Sequence, residues 1–204
     1  MSEDPRARAA ASLRRLGHAM MAHDAGDELL ERVAEAADRV SAELEAAPPR
    51  TRDLLDLKRR MFEIDVPDGA RVVHFDECFV SGPFNPLGIA IEVRREGDEA
   101  VAHVELGPAF EGAPGRSHGG IVAAVFDDVL GYLLTLQQEP GFTGELSIRY
   151  LAATPIREAL EFRGRIVERE GRKLRTEGEA TAAGEVVARA TATFVIIDPS
   201  RLRS

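Results

Sequence analysis

The sequence predicts an α+β fold in which one long apolar helix packs against one antiparallel sheet. Hydrophobic periodicity changes from helical to alternating near residue 71. A single apolar helical segment, HGGIVAAVFDDVLGYLLTL, then interrupts a series of short β-branched segments separated by Gly, Pro and Asn turns. A lone helix among about seven strands has no second helical layer to rest on, so it buries its apolar side against one curved sheet.

Residues 1–63 read as a helical extension and 64–204 as the domain proper. In the extension, GDELLERVAEAADRVSAELEAA places Leu29, Val33, Ala36, Val40 and Leu44 on one helical face, and Pro48 and Pro49 end it. A short helix is expected through RDLLDLKRRMFEI, with Leu54, Leu57 and Met61 on one side behind a cap at Thr51 or Asp53. Strands are expected in RVVHFDECF, LGIAIEVRRE and EAVAHVELG, and the long helix from near Ser117 to about Leu136. Four more strands follow: GELSIRYLA, ALEFRGRIVERE, RKLRTEGEAT and EVVARATATFVIID. In the last, Arg189, Thr191 and Thr193 alternate with Ala190, Ala192 and Phe194, the pattern of a half-buried strand.

The 204 residues carry a net charge of −9, which speaks against general binding to nucleic acid or to an anionic membrane, since both require concentrated Lys and Arg. No run approaches the roughly 20 apolar residues of a membrane span. Cys78 is the single cysteine, so no internal disulfide forms and a reducing cytoplasm is the expected compartment. His18, His23, His74 and His103 have no partner at metal-ligand spacing, and no metal is expected.

The chemistry concentrates on the long helix. His118 and Asp127 are nine residues apart, about 13.5 Å of rise and two and a half turns, so they project from opposite sides. One site uses both only if two such helices meet antiparallel across a two-fold axis, which implies a homodimer or a dimer of dimers. Gly120, Ala124 and Gly131 form a stripe of small residues around Asp127, while Phe126, Val129, Leu130 and Leu133 cover another side. Asp128 is the competitor for the catalytic role, and adjacency of the two carboxyls raises the pKa of one. At the helix start, Ser117-His118-Gly119-Gly120 offers backbone N–H groups and the positive end of the helix dipole to an oxyanion.

Three segments, CFVSGPFNPLGIAIEV, FEGAPGRSHGGIVAAVFDDVLG and TGELSIRYLAATPI, closely resemble the PaaI-like hotdog acyl-CoA thioesterases over about residues 75–197. The resemblance implies that Asp127 is the general base or nucleophile and that Gly120, with His118 and Gly119, shapes the site of the carbonyl oxygen. It also implies that the Thr143 hydroxyl positions the attacking water, and it assigns the family aspartate to Asp127 rather than Asp128. Residues 1–63 lie outside it. The substrate so implied is an acyl-CoA, with no separate cofactor. Arg172 and Lys173, near a hairpin turn, and Arg116, just before His118, are candidates for the CoA phosphates, and Asn85 in the G-P-F-N-P-L-G segment for substrate contact.

A hydratase on the same fold would place a histidine with a carboxylate, and no histidine follows position 118. The non-enzymatic alternative is an acyl-CoA-binding regulatory or partner-binding module that keeps the pocket without turnover.

Overall fold

Asp4 caps the first helix by accepting the Arg6 N–H at 2.7 Å, with Pro5 preset in helical geometry at its first position. This helix, α1 (Pro5–Ala22), begins a computed structural model that describes residues 4–51, 63–72 and 75–198. It continues with α2 (Asp27–Glu45), β1 (Arg71–Val72), β2 (Glu92–Glu96), β3 (Glu99–Glu105), β4 (Glu111–Ala113), β5 (Arg116–Ser117) and α3 (Gly119–Leu136). Four long strands complete it: β6 (Gly141–Tyr150), β7 (Ala159–Glu170), β8 (Lys173–Ala182) and β9 (Glu185–Ile196). Residues 52–62, which hold nearly all of the short helix expected through RDLLDLKRRMFEI, and His74 lie outside the described residues.

Seven strands form one antiparallel sheet in the order β1-β2-β3-β7-β8-β9-β6, and β4 and β5 pair as a separate ribbon leading into α3. The expected α+β hotdog arrangement is therefore present: α3 lies against one face of the sheet, touching β2, β3 and β6 to β9. It buries Val122, Val125, Phe126, Val129, Leu130, Tyr132 and Leu133. By length and composition alone α3 would suit a membrane span, but half of it is buried inside the chain against the sheet.

The helix seat is a row of small residues running across four strands, where Ala100 pairs with Gly164, Gly164 with Gly178, and Gly178 with Ala190. A Cβ at Gly164 would stand 2.7 Å from Leu130 Cδ2, and one at Gly178 3.2 Å from the Phe126 ring. The backbone of β7 and β8 thus meets the helix side chains directly. Beside the row, Phe126 meets Phe162 edge to face with centroids 5.0 Å apart. In β9, Ala190, Ala192 and Phe194 are buried and Arg189 and Thr191 exposed, as the alternation requires.

Two expected strands are corrected. Of RVVHFDECF only Arg71–Val72 is described as strand, and LGIAIEVRRE becomes strand only from Glu92. Residues 75–91 fold instead into successive turns, with Gly82 N–H donating to Cys78 O and Phe84 N–H to Asp76 O, while Ile89 and Ile91 N–H donate to Phe79 and Val80 O. Ala90 at φ 59° breaks the extended run just before β2. In α2, the apolar stripe does not enter the core: Leu29, Val40 and Leu44 are exposed.

Candidate active site

The start of α3 is built by its own histidine. His118, extended at ψ 132°, is the N-cap, and its Nδ1 accepts the Gly120 N–H at 2.9 Å. Ile121 and Val122 N–H both donate to the His118 carbonyl. Gly119 N–H is then the first-turn amide that donates to no protein acceptor among the described residues. Of the backbone N–H groups expected to be open over Ser117-His118-Gly119-Gly120, those of Ser117, His118 and Gly120 already have acceptors, leaving Gly119. Tyr150 Oη donates to the Gly119 carbonyl at 2.6 Å and fixes that peptide from the other side.

Two segments hold this turn from behind. Ser117 N–H donates to Thr154 O at 2.9 Å, and His118 N–H to Phe110 O at 2.8 Å. Phe110 ends a short 3-10 turn, Pro108–Phe110, and is buried in the core.

Two and a half turns along α3, Asp127 is exposed and Thr143 Oγ1 donates to its Oδ1 at 2.9 Å. A bulge at Gly144 shifts the β6–β9 register just after Thr143 pairs with Phe194, and such a bulge re-aims neighbouring side chains. Around Asp127, Gly131 has open space where a Cβ would stand. The small-residue stripe therefore borders room in a single chain.

Asp128 turns toward the 75–91 segment instead. Cys78 Sγ–H donates to its Oδ1 at 3.3 Å, and Ser81, which accepts the Tyr132 hydroxyl at 2.8 Å, also engages it. Its Oδ2 is buried with no hydrogen-bond partner. Burial, with the Asp127 charge adding to it, raises the Asp128 carboxyl above the ordinary carboxylate range despite those hydrogen bonds. Burial and Asp128 likewise push the Cys78 thiol up, which keeps it a protonated donor rather than a nucleophile. The two adjacent carboxyls are thus separated by environment, Asp127 in solvent and Asp128 turned inward with one oxygen buried.

The remaining sequence candidates scatter. Asn85 directs its amide into its own turn, donating to Glu77 O and accepting from Leu87 N–H. Arg116 is exposed on β5 opposite Pro155, at the N-terminal end of α3. Arg172 and Lys173 are exposed at the β7–β8 turn, where Lys173 and Phe142 flank Val195 from either side, so that hairpin lies at the Thr143 end of the sheet. Sequence reasoning missed Tyr150 and the Gly144 bulge, because neither residue type announces its partner. Among the described residues no three His, Cys, Asp or Glu side chains converge, so no metal centre is assigned.

The family model of the thioesterase superfamily matches residues 115–189, from the ribbon before α3 into β9. A solved structure named as a thioesterase superfamily protein superposes with a TM-score of 0.79 at 30% identity, covering 95% of this chain and 92% of its own. The chain belongs to the thioesterase superfamily. That high coverage includes the helical extension, so the superfamily relative shares it. The acyl-coenzyme A thioesterase THEM4 of Bos taurus is 26% identical over 129 residues, 61% of this chain and 53% of THEM4, so the chain spans about half the length of that relative. The E. coli PaaI protein shares the fold at a TM-score of 0.51 and 14% identity, covering 54% of this chain and 81% of PaaI.

Proposed function

We propose that this chain hydrolyses acyl-CoA thioesters, with Asp127 as general base. The observation that carries the reading is the Thr143–Asp127 hydrogen bond: it fixes one carboxylate oxygen of an exposed aspartate and leaves the other for water, beside a stripe of small residues. The activity of the THEM4 relative, as its name gives it, supports the same substrate class.

In the proposed reaction Asp127 takes a proton from water as the water oxygen bonds to the thioester carbonyl carbon. The carbonyl oxygen becomes an oxyanion held by Gly119 N–H at the positive end of α3, a donor worth roughly 3 kcal/mol in such a role. The tetrahedral adduct then expels the CoA sulfur, which receives the proton from Asp127, and the free acid leaves. General base catalysis of this kind contributes about 10²–10⁴-fold.

Gly119 and Asp127 are eight residues apart, about 12 Å of rise along one helix, so a complete site combines Gly119 of one protomer with the Asp127–Thr143 pair of another. The exposed outer edge of β6, with Phe142 60% and Tyr150 49% exposed, supports a second copy docking there. The exposed Arg116, Arg172 and Lys173 are the candidate phosphate ligands, at opposite ends of α3. The test is thiol release from a panel of acyl-CoAs by the wild type and by Asp127→Asn. Turnover lost in the variant with acyl-CoA binding kept is the expected result; binding without thiol release by the wild type would transfer the reading to an acyl-CoA-binding module.

A further inference from the structure

Helix α1 is tied to the loops behind α3. Arg14 Nη1 donates to Asn85 O at 2.6 Å and to Pro83 O at 3.2 Å, and the Arg6 guanidinium lies over the Phe84 ring at 5.9 Å. One turn beyond Arg14, His18 Nδ1 accepts the Ala109 N–H at 3.0 Å, and its ring meets Phe110 edge-on at 5.0 Å and 79°. The loop is cut to admit that ring: a Cβ at Gly107 would stand 2.5 Å from His18 Nδ1. Two more bonds reach the site, because Phe110 O accepts the His118 N–H and His118 Nδ1 accepts the Gly120 N–H. A continuous set of contacts therefore runs from the helical extension to the first turn of α3.

We infer that α1 is a clasp on the oxyanion-binding end of α3 and that His18 is its positioning residue, holding the 107–110 turn and, through Phe110 and His118, the Gly119 amide in register with the thioester carbonyl. The inference rests on the hydrolase reading for its catalytic consequence, but the clasp itself is a property of the free chain. His18 works only with a lone pair on Nδ1, so protonation there replaces an acceptor by a donor and opens the bond to Ala109. The segment packed against it, Gly107–Phe110, carries no ionisable side chain, and the charged neighbour that bears on it is Arg14. Burial first, then Arg14, lowers the His18 pKa, which keeps the ring neutral and the clasp shut at neutral pH.

The experiment compares wild type with His18→Leu, which keeps bulk without an acceptor, and His18→Asn, whose side-chain oxygen replaces Nδ1 and does not titrate. Each is measured by amide hydrogen exchange of the 107–120 segment in the full chain and by kcat and KM for acyl-CoA. The expected result is that His18→Leu loses protection in 107–120 and about 10- to 100-fold in kcat, with KM changed less. His18→Asn recovers both and lacks the loss of protection that wild type shows on acidification. Unchanged exchange in His18→Leu overturns the clasp, as does a His18→Asn variant that behaves like His18→Leu or a loss of protection spread evenly over the whole chain. If wild type releases no thiol, the hydrolase reading fails while the exchange data still decide the clasp.

Discussion

Thr143 Oγ1 stands 2.9 Å from Asp127 Oδ1, a bond that joins the start of an edge strand to the middle of the core helix. Hydrogen bonds to a charged group are worth about 1.5–3 kcal/mol, so Thr143→Val is expected to lower kcat about 10- to 100-fold. Thr143→Ser, which keeps the hydroxyl, should remain within a few-fold of wild type. Steady-state thiol release distinguishes them, and equal losses in both variants would remove Thr143 from the reaction.

The proposed sharing of one site between two protomers predicts complementation. Gly119→Pro removes the amide hydrogen at the first helical position, where the extended His118 admits proline and the added Cβ would meet Tyr150 Oη at 3.1 Å. Alone, Gly119→Pro and Asp127→Asn should each be inactive. Mixed, unfolded and refolded together, they should regain about one quarter of wild-type turnover, because half the random dimers are mixed and each mixed dimer has one intact site. No recovery would mean that each chain completes its own site.

Asp128 sets the pH dependence of stability. Because burial holds its carboxyl above the ordinary range, the folded chain binds that proton more tightly than the unfolded chain. Its stabilising contribution is therefore complete below the ordinary carboxylate pKa and is lost as pH rises through the raised folded-state value. Asp128→Asn, which keeps an oxygen for Cys78, should melt above wild type at about pH 8, with the difference closing toward about pH 4. Thermal melts across that range check it, and a difference that grows on acidification would refute it.

Gly164→Ala places a methyl 2.7 Å from Leu130 Cδ2 in a packed seat. Overpacking of this kind costs about 1–3 kcal/mol. A paired Leu130→Val should recover part of that loss in a double-mutant cycle measured by denaturant unfolding. Additive losses would show that the two positions do not touch.

The parts of the fold legible in the sequence are those with a strict period. The alternation through Ala190, Ala192 and Phe194 and the apolar run of α3 each specify one buried face, and both faces are where the period puts them. The segment before β2 is β-branched but is governed by turn hydrogen bonds between residues such as Gly82 and Cys78 and by the backbone at Ala90, none of which a hydrophobic period encodes. At the site, His118 and Asp127 stood out as polar residues in or beside an apolar pattern, and Thr143 was marked only by the family resemblance. What spacing could not give was direction: that His118 turns its ring onto Gly120, that Tyr150 reaches back to Gly119, or that Asp128 turns inward to Cys78. The His18 contact to Ala109 spans 91 positions and joins the extension to a loop, and no local signal marks either end.

The glycine seat also sets how much play the carboxylate has. Phe126 presses on Gly178 and Leu130 on Gly164, bracketing Asp127 within a single turn. With strand backbone rather than pliable side chains beneath it, the helix rides like a shaft in a tight bearing. The exposed Asp127, whose carboxylate Thr143 orients at one oxygen, is thereby also held through its own backbone. A substitution that loosens or lifts that bearing is expected to blunt the proposed reaction more than it weakens the fold.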